Sequence, residues 1–197
     1  MRSFAELYEI AAARKGAELE AGMPAVRPSA ELAGIGDDRW LAAMTRRVFQ
    51  SGFSWKVIES KWPGFEAAFD GFRPPRWALM SDEDLDALVK DRRIVRNAQK
   101  ILSVRGNAVF LRDLAAEHGT AAACFAHWPD DDYVGLLDLL KRRASRLGGN
   151  AAQYLFRGMG KDAFLLSPDV TTALIREGVV AKAPTSKRDL AAVQAAF

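Results

Sequence analysis

The sequence predicts an all-α protein, and three observations predict it. Apolar residues return every three or four positions in one segment after another. No stretch of useful length alternates apolar and polar residues with β-branched enrichment. Cap and stop residues bracket the periodic segments. In chain order, Phe4, Leu7, Tyr8 and Ile10 begin a helix expected over residues 3 to 21, which Gly22 and Pro24 end. Asp37-Asp38 is read as the N-cap of an amphipathic helix carrying Trp40, Leu41, Met44 and Val48. Ser54 is placed to cap the next helix, with Trp55, Val57 and Ile58, and Pro63 to start a further short one with Phe65, Ala68 and Phe69. Ser81 and Asp84 have capping-box spacing ahead of Leu85, Leu88 and Val89. Helices follow over 96 to 110, 120 to 126 and 132 to 146. The last runs from Asp130-Asp-Asp to Lys141-Arg-Arg, which complements the helix dipole. A helix over Gln153 to Met159, a hairpin from Gly160 to Ser167 and a helix from Pro168 to Glu177 complete the reading.

The 197 residues suit a single helical domain, and a hydrophobic fraction of 49% can build a real core. No run approaches the roughly 20 apolar residues of a membrane span, and the N-terminal residues lack the apolar stretch of a signal peptide. A cytoplasmic location is therefore expected. A lone Cys124 excludes an internal disulfide and a cysteine-rich zinc site. With His118 and His127 it matches no zinc spacing, so no metal and no cofactor is expected. The net charge of +3 is uneven. Residues 141 to 197 hold ten Lys or Arg against four acids, a balance of +6, so the first 140 residues carry −3. A phosphate-backbone contact surface and an ordinary solvated face both fit that segment.

The segment Gln50-Ser-Gly-Phe-Ser-Trp55 places two small residues around a glycine, then an aromatic, a cap serine and a tryptophan. Phe65-Glu-Ala-Ala-Phe69, Gly71-Phe72, Met80-Ser-Asp-Glu-Asp84, Ile94-Val-Arg-Asn-Ala-Gln-Lys-Ile101 and Asn107-Ala108 follow it. In order and spacing this block, from about residue 38 to 110, resembles the 3-methyladenine DNA glycosylase I family, whose signature reads Gln-Ala-Gly-Leu-Ser-Trp. The family belongs to the helix-hairpin-helix DNA glycosylase superfamily. The resemblance implies two interlocked helical lobes, with the hairpin motif at about 155 to 178. It implies hydrolysis of the N-glycosidic bond of alkylated purines such as 3-methyladenine, in double-stranded DNA, by a monomer. It places Trp55, Gln50, Ser54 and Arg47 in a base-binding pocket, with Tyr8 the only tyrosine on hand for the family's N-terminal pocket tyrosines. Arg157, Lys161, Leu166 and Ser167 fall where the family holds the DNA backbone.

This sequence departs from the family pattern at defined positions. The family's zinc ligands are absent, and Leu166 stands where the hairpin glycine is usual. Arg47 stands where the family has the glutamate that recognises the alkylated base. A carboxylate attracts a cationic base; a guanidinium repels it by the same Coulomb interaction. No acid lies between Val179 and Thr185, where the superfamily's aspartate would follow the hairpin. Glu59, one turn after Trp55, and Asp169, beside the hairpin, are substitute acids, each also readable as a surface carboxylate or helix cap. Trp40, Trp62, Trp77 and Trp128 are expected in the core or in contacts between lobes. Three readings stand: a glycosylase, a DNA-binding module without the chemistry, and a binder of a different small ligand in the same pocket.

Overall fold

A computed structural model describes residues 1–197 and contains helices and no strand. The helices are α1 (Phe4–Lys15), α2 (Glu18–Ala21), α3 (Ser29–Ala33), α4 (Asp37–Gln50), α5 (Trp55–Ala68), α6 (Pro74–Trp77), α7 (Asp82–Lys90), α8 (Ala98–His118), α9 (Ala121–Ala126), α10 (Tyr133–Arg143), α11 (Asn150–Met159), α12 (Pro168–Arg176) and α13 (Lys187–Gln194). No helix is long and apolar enough to cross a membrane.

Local chemistry sets most helix ends. Ser3 with Glu6, Ser81 with Asp84 and Ser186 with Asp189 form reciprocal capping boxes at α1, α7 and α13. Asn97 and Thr120 cap α8 and α9 through their side chains. Several sequence expectations are corrected. The helix expected over 3 to 21 is two helices, because Gly16 takes φ 57 and breaks the ladder. Pro63 does not start a helix but lies inside α5, which continues through it at the loss of one backbone bond. Asp37 does not cap its own helix. Its carboxylate accepts the Ala121 and Ala122 amides at 3.2 and 3.1 Å, fastening the start of α9 to α4. Ser54 sits at the N-cap of α5 without a side-chain bond. The helix expected over 96 to 110 runs on to His118, and α3, α6 and α13 were not anticipated.

Thirty-nine buried apolar residues form one connected cluster. Helix α8 is its axis, with α4, α6, α7 and α9 packed on it. At one end Trp40, Phe110, Phe125 and Phe156 pack ring against ring, from α4, α8, α9 and α11. At the other, Phe49, Phe65, Phe69, Phe72 and Trp77 do the same, with Trp62 stacked on their edge. Each fully buried aromatic contributes on the order of 1.5–3 kcal/mol. Trp40 and Trp77 are buried, as expected of core tryptophans, whereas Trp62 and Trp128 are partly exposed. This packing brings α11 against α4. Residues a hundred positions apart in sequence thereby face each other.

Candidate functional site

A cleft of about 150 Å³ opens between the end of α4, the start of α5 and α11. Arg47, Gln50, Ser51, Trp55, Asn150, Ala151 and Tyr154 line it. Arg47, Gln50 and Ser51 are three and four residues apart, so they share one face at the last turn of α4. Trp55 opens α5 after the turn at Gly52, which takes φ 89. Its ring is 48% exposed, unusual for an indole away from any other need. Tyr154 meets it edge-on, centroids 5.4 Å apart at 81°.

The floor is a chain of three side chains. Arg47 Nη1 donates to Gln50 Oε1 at 2.8 Å, and Gln50 Nε2 donates to Glu59 Oε1 at 2.8 Å. The Glu59 carboxylate only accepts, so it fixes which way the buried Gln50 amide points. The Arg47 guanidinium lies 5.5 Å from the Trp55 ring centroid and 5.9 Å from that of Tyr154. Burial, and then the neighbouring Arg46, push its pKa below the ordinary arginine value. It stays a cation, since a guanidinium does not lose its proton in proteins. No carboxylate lies within ion-pair distance of Arg47; Glu59 pairs with Arg46 instead, at 3.7 Å. Gly158, four residues after Tyr154, allows this placement: a Cβ there would stand 2.3 Å from Arg47 Nη2.

Lys100 holds the turn in place. Its ammonium is buried and donates to the carbonyls of Val48 at 2.7 Å, Phe49 at 3.5 Å and Ser51. It caps the C-terminal end of α4, where a cation is favoured. Burial pushes its pKa down.

Of the sequence-derived pocket residues, Arg47, Gln50 and Trp55 come together in the cleft. Ser54 does not line it; Ser51 does. Tyr8 is also elsewhere. It lies on α1, which buries no residue, and its hydroxyl bonds Glu20. Tyr154 supplies the tyrosine of the cleft instead. The sequence carried a signal for it: Ala152, Leu155 and Phe156 claim the core face of α11, so Ala151, Tyr154 and Gly158 share another.

The hairpin residues are more heavily committed than expected. Lys161 is only 5% exposed, and its ammonium faces Asp130 Oδ1 at 3.6 Å and the Trp128 carbonyl at 3.5 Å. The Leu166 amide is taken by Gln153 Oε1 at 2.6 Å. The Ser167 hydroxyl accepts the Val170 amide as the cap of α12. Arg157 is exposed and forms no ion pair. Across the basic segment, Arg142, Arg143, Lys161 and Arg176 are paired with acids, which reduces the field the bare count implies. Asp169 stands in the first turn of α12, where an acid favours the helix dipole. No group of three His, Cys, Asp or Glu side chains converges on a point. Cys124 is buried, and burial pushes its thiol pKa up.

The profile of the methyladenine glycosylase family matches residues 34–134, which contain most of the cleft and its supports. The chain belongs to the methyladenine glycosylase family. Over 59 residues it is 39% identical to DNA-3-methyladenine glycosylase 1 of Escherichia coli (strain K12), covering 30% of this chain and 32% of that one. The match thus spans about a third of that relative's length. The fold is similar to solved structures of 3-methyladenine DNA glycosylase I. The Staphylococcus aureus enzyme superposes with a TM-score of 0.57 at 20% identity, over 67% of this chain and 81% of that one. A single-residue variant of 3-methyladenine DNA glycosylase I, solved with 3-methyladenine, gives 0.55 at 19% identity, over 75% and 86%. At such identities the likeness is one of fold.

Proposed function

We propose that this protein is a DNA glycosylase-type enzyme that takes a modified purine out of duplex DNA and hydrolyses its N-glycosidic bond. It acts as a monomer on double-stranded DNA in the cytoplasm. The observation that carries the proposal is the half-exposed Trp55 ring at the mouth of a cleft whose floor is the Gln50–Arg47 pair. An enzyme that works on a base must extrude it and stack it on an aromatic surface, and Trp55 offers one. Base–aromatic stacking of this kind contributes about 1–3 kcal/mol. Exposed Arg157 supplies a backbone contact.

In the reaction, the bond from the sugar C1′ to the base nitrogen breaks, the electron pair leaves with the base, and water adds its oxygen to C1′. The water's surplus proton passes to solvent, and a neutral purine, which leaves as an anion, takes one up from solvent. No carboxylate lines the cleft; the nearest, Glu59, reaches it only through Gln50. The protein's contribution is therefore extrusion, orientation and stacking. Suitable substrates are modified purines that accept a proton from solvent as they leave. Arg47 bears on which of them enter: its positive charge disfavours cationic 3-methyladenine nucleotides and favours neutral bases. The same residue supports a second reading, a protein that binds DNA or a purine-like ligand in this cleft without cleaving. Excess purified protein incubated with duplexes carrying labile modified purines separates the two. Free base above the spontaneous rate supports hydrolysis; salt-dependent DNA binding with no release supports the second reading.

A further inference from the structure

The cleft holds a guanidinium that has no ion-pair partner. The Arg47 guanidinium is partly buried, and burial of a charge is costly unless something answers it. Here Gln50 Oε1 takes one of its five N–H donors, and no protein group takes Nε or Nη2. Every other group free in the lining is a neutral donor or amphiprotic: Ser51 hydroxyl, Asn150 amide, Tyr154 hydroxyl. Glu59 favours the guanidinium through space but makes no ion pair with it, being bonded to Gln50 and facing Arg46. The guanidinium carbon lies 5.5 Å from the centroid of Trp55, a surface suited to a planar ring. The missing partner is thus a flat group that presents adjacent acceptors at its edge. Among nucleobases that is the 6-oxo and N7 edge of a purine, which an arginine fork pairs with bidentately. Adenine presents an amino donor at the same carbon and would set donor against donor.

We propose that the cleft selects 6-oxo purines, the guanine and hypoxanthine type, and that Arg47 is the residue that reads the 6-oxo edge. This rests on the glycosylase reading of the cleft and names its substrate class. Gln50 and Glu59 act through Arg47 as positioning residues: the carboxylate orients the amide, and the amide oxygen holds Nη1, leaving Nε and Nη2 as the unpaired part of the fork.

The test is calorimetric titration of the full chain with hypoxanthine, adenine and inorganic phosphate. Hypoxanthine is expected to bind about 5- to 150-fold tighter than adenine, the range one bidentate arginine pair provides. Arg47→Lys keeps the charge but loses the fork, so the preference should collapse while any attraction for phosphate persists. Arg47→Met should lose both, with circular dichroism and thermal unfolding confirming the fold. Trp55→Ala should weaken hypoxanthine and adenine alike. Equal binding of the two bases, tighter adenine, or no hypoxanthine binding overturns the proposal. So does phosphate competing at the affinity of hypoxanthine, which would assign the donors to a nucleotide's phosphate. Base release from DNA is scored separately: selectivity without release refutes the enzyme while leaving the recognition intact, and release without selectivity does the reverse.

Discussion

Reversing the charge at Arg47 should change what the cleft accepts. The guanidinium sits 5.5 Å from the Trp55 ring centroid. A base stacked on that ring would carry its charge at about 5 Å from the guanidinium. Two like charges at that distance repel by roughly 3 kcal/mol at an effective dielectric of 20 and roughly 1 kcal/mol in water. The cleft is open to solvent, so the lower part of the range applies. Arg47→Glu replaces this repulsion with an attraction of similar size, a swing of about 2 kcal/mol or more, or roughly 30-fold. The assay is competition binding of duplexes with one 7-methylguanine, a cationic base, against the unmodified duplex. The wild type should not prefer the cationic site, and Arg47→Glu should prefer it by about that factor. Identical preferences in wild type, Arg47→Glu and Arg47→Gln would refute the electrostatic reasoning.

Three further outcomes follow from the same structure. Trp55→Ala should cost about 1–3 kcal/mol in binding a single-stranded oligonucleotide while leaving the melting temperature within a few degrees, because the ring is half exposed; unchanged affinity would mean that Trp55 is not a stacking surface. Lys100→Met leaves the carbonyls of Val48, Phe49 and Ser51 without their donor, and should destabilise the protein by about 2–4 kcal/mol in urea unfolding; a loss below about 0.5 kcal/mol would contradict its role as the clamp of the α4–α5 turn. Asp84 is held at about 2, against 3.8, by the Arg76 side chain first and the Ser81 amide second. The folded carboxyl is harder to protonate than the unfolded one, so its contribution is complete above pH about 4 and is lost as pH falls toward 2. Its exposure limits that contribution to under about 1 kcal/mol. In an NMR titration Arg76→Ala should move the Asp84 midpoint up toward the ordinary aspartate value, and an unmoved midpoint would rule out the pairing.

The helical class and most helix positions were legible because caps and apolar spacing are local. Ser81 with Asp84 announces α7 from four residues, and Pro168 with Gly178 brackets α12. What the sequence misread was decided by tertiary contact. Pro63 looks like a helix start, yet α5 runs through it. Gly64 beside it has a packing reason: a Cβ there would stand 2.5 Å from the Arg93 carbonyl. Asp37 looks like a cap of its own helix but caps α9, 84 residues away. In the site, the half carried by α4 and α5 was readable from Gln50 to Trp55. The other half, Asn150 and Tyr154, comes from α11 and needed the packing of α11 on α4 to be known. Leu166 falls where the family holds the DNA backbone, but Gln153 takes its amide. A side chain that competes for a backbone donor cannot be read from spacing.

Base release tests the central claim most directly. Excess protein is incubated under single-turnover conditions with duplexes containing one hypoxanthine, and free bases are quantified by mass spectrometry. Free base should appear above the spontaneous rate with wild-type protein and fall to that rate with Trp55→Ala. Release no faster than in buffer, from a protein shown to bind the duplex, would contradict the account.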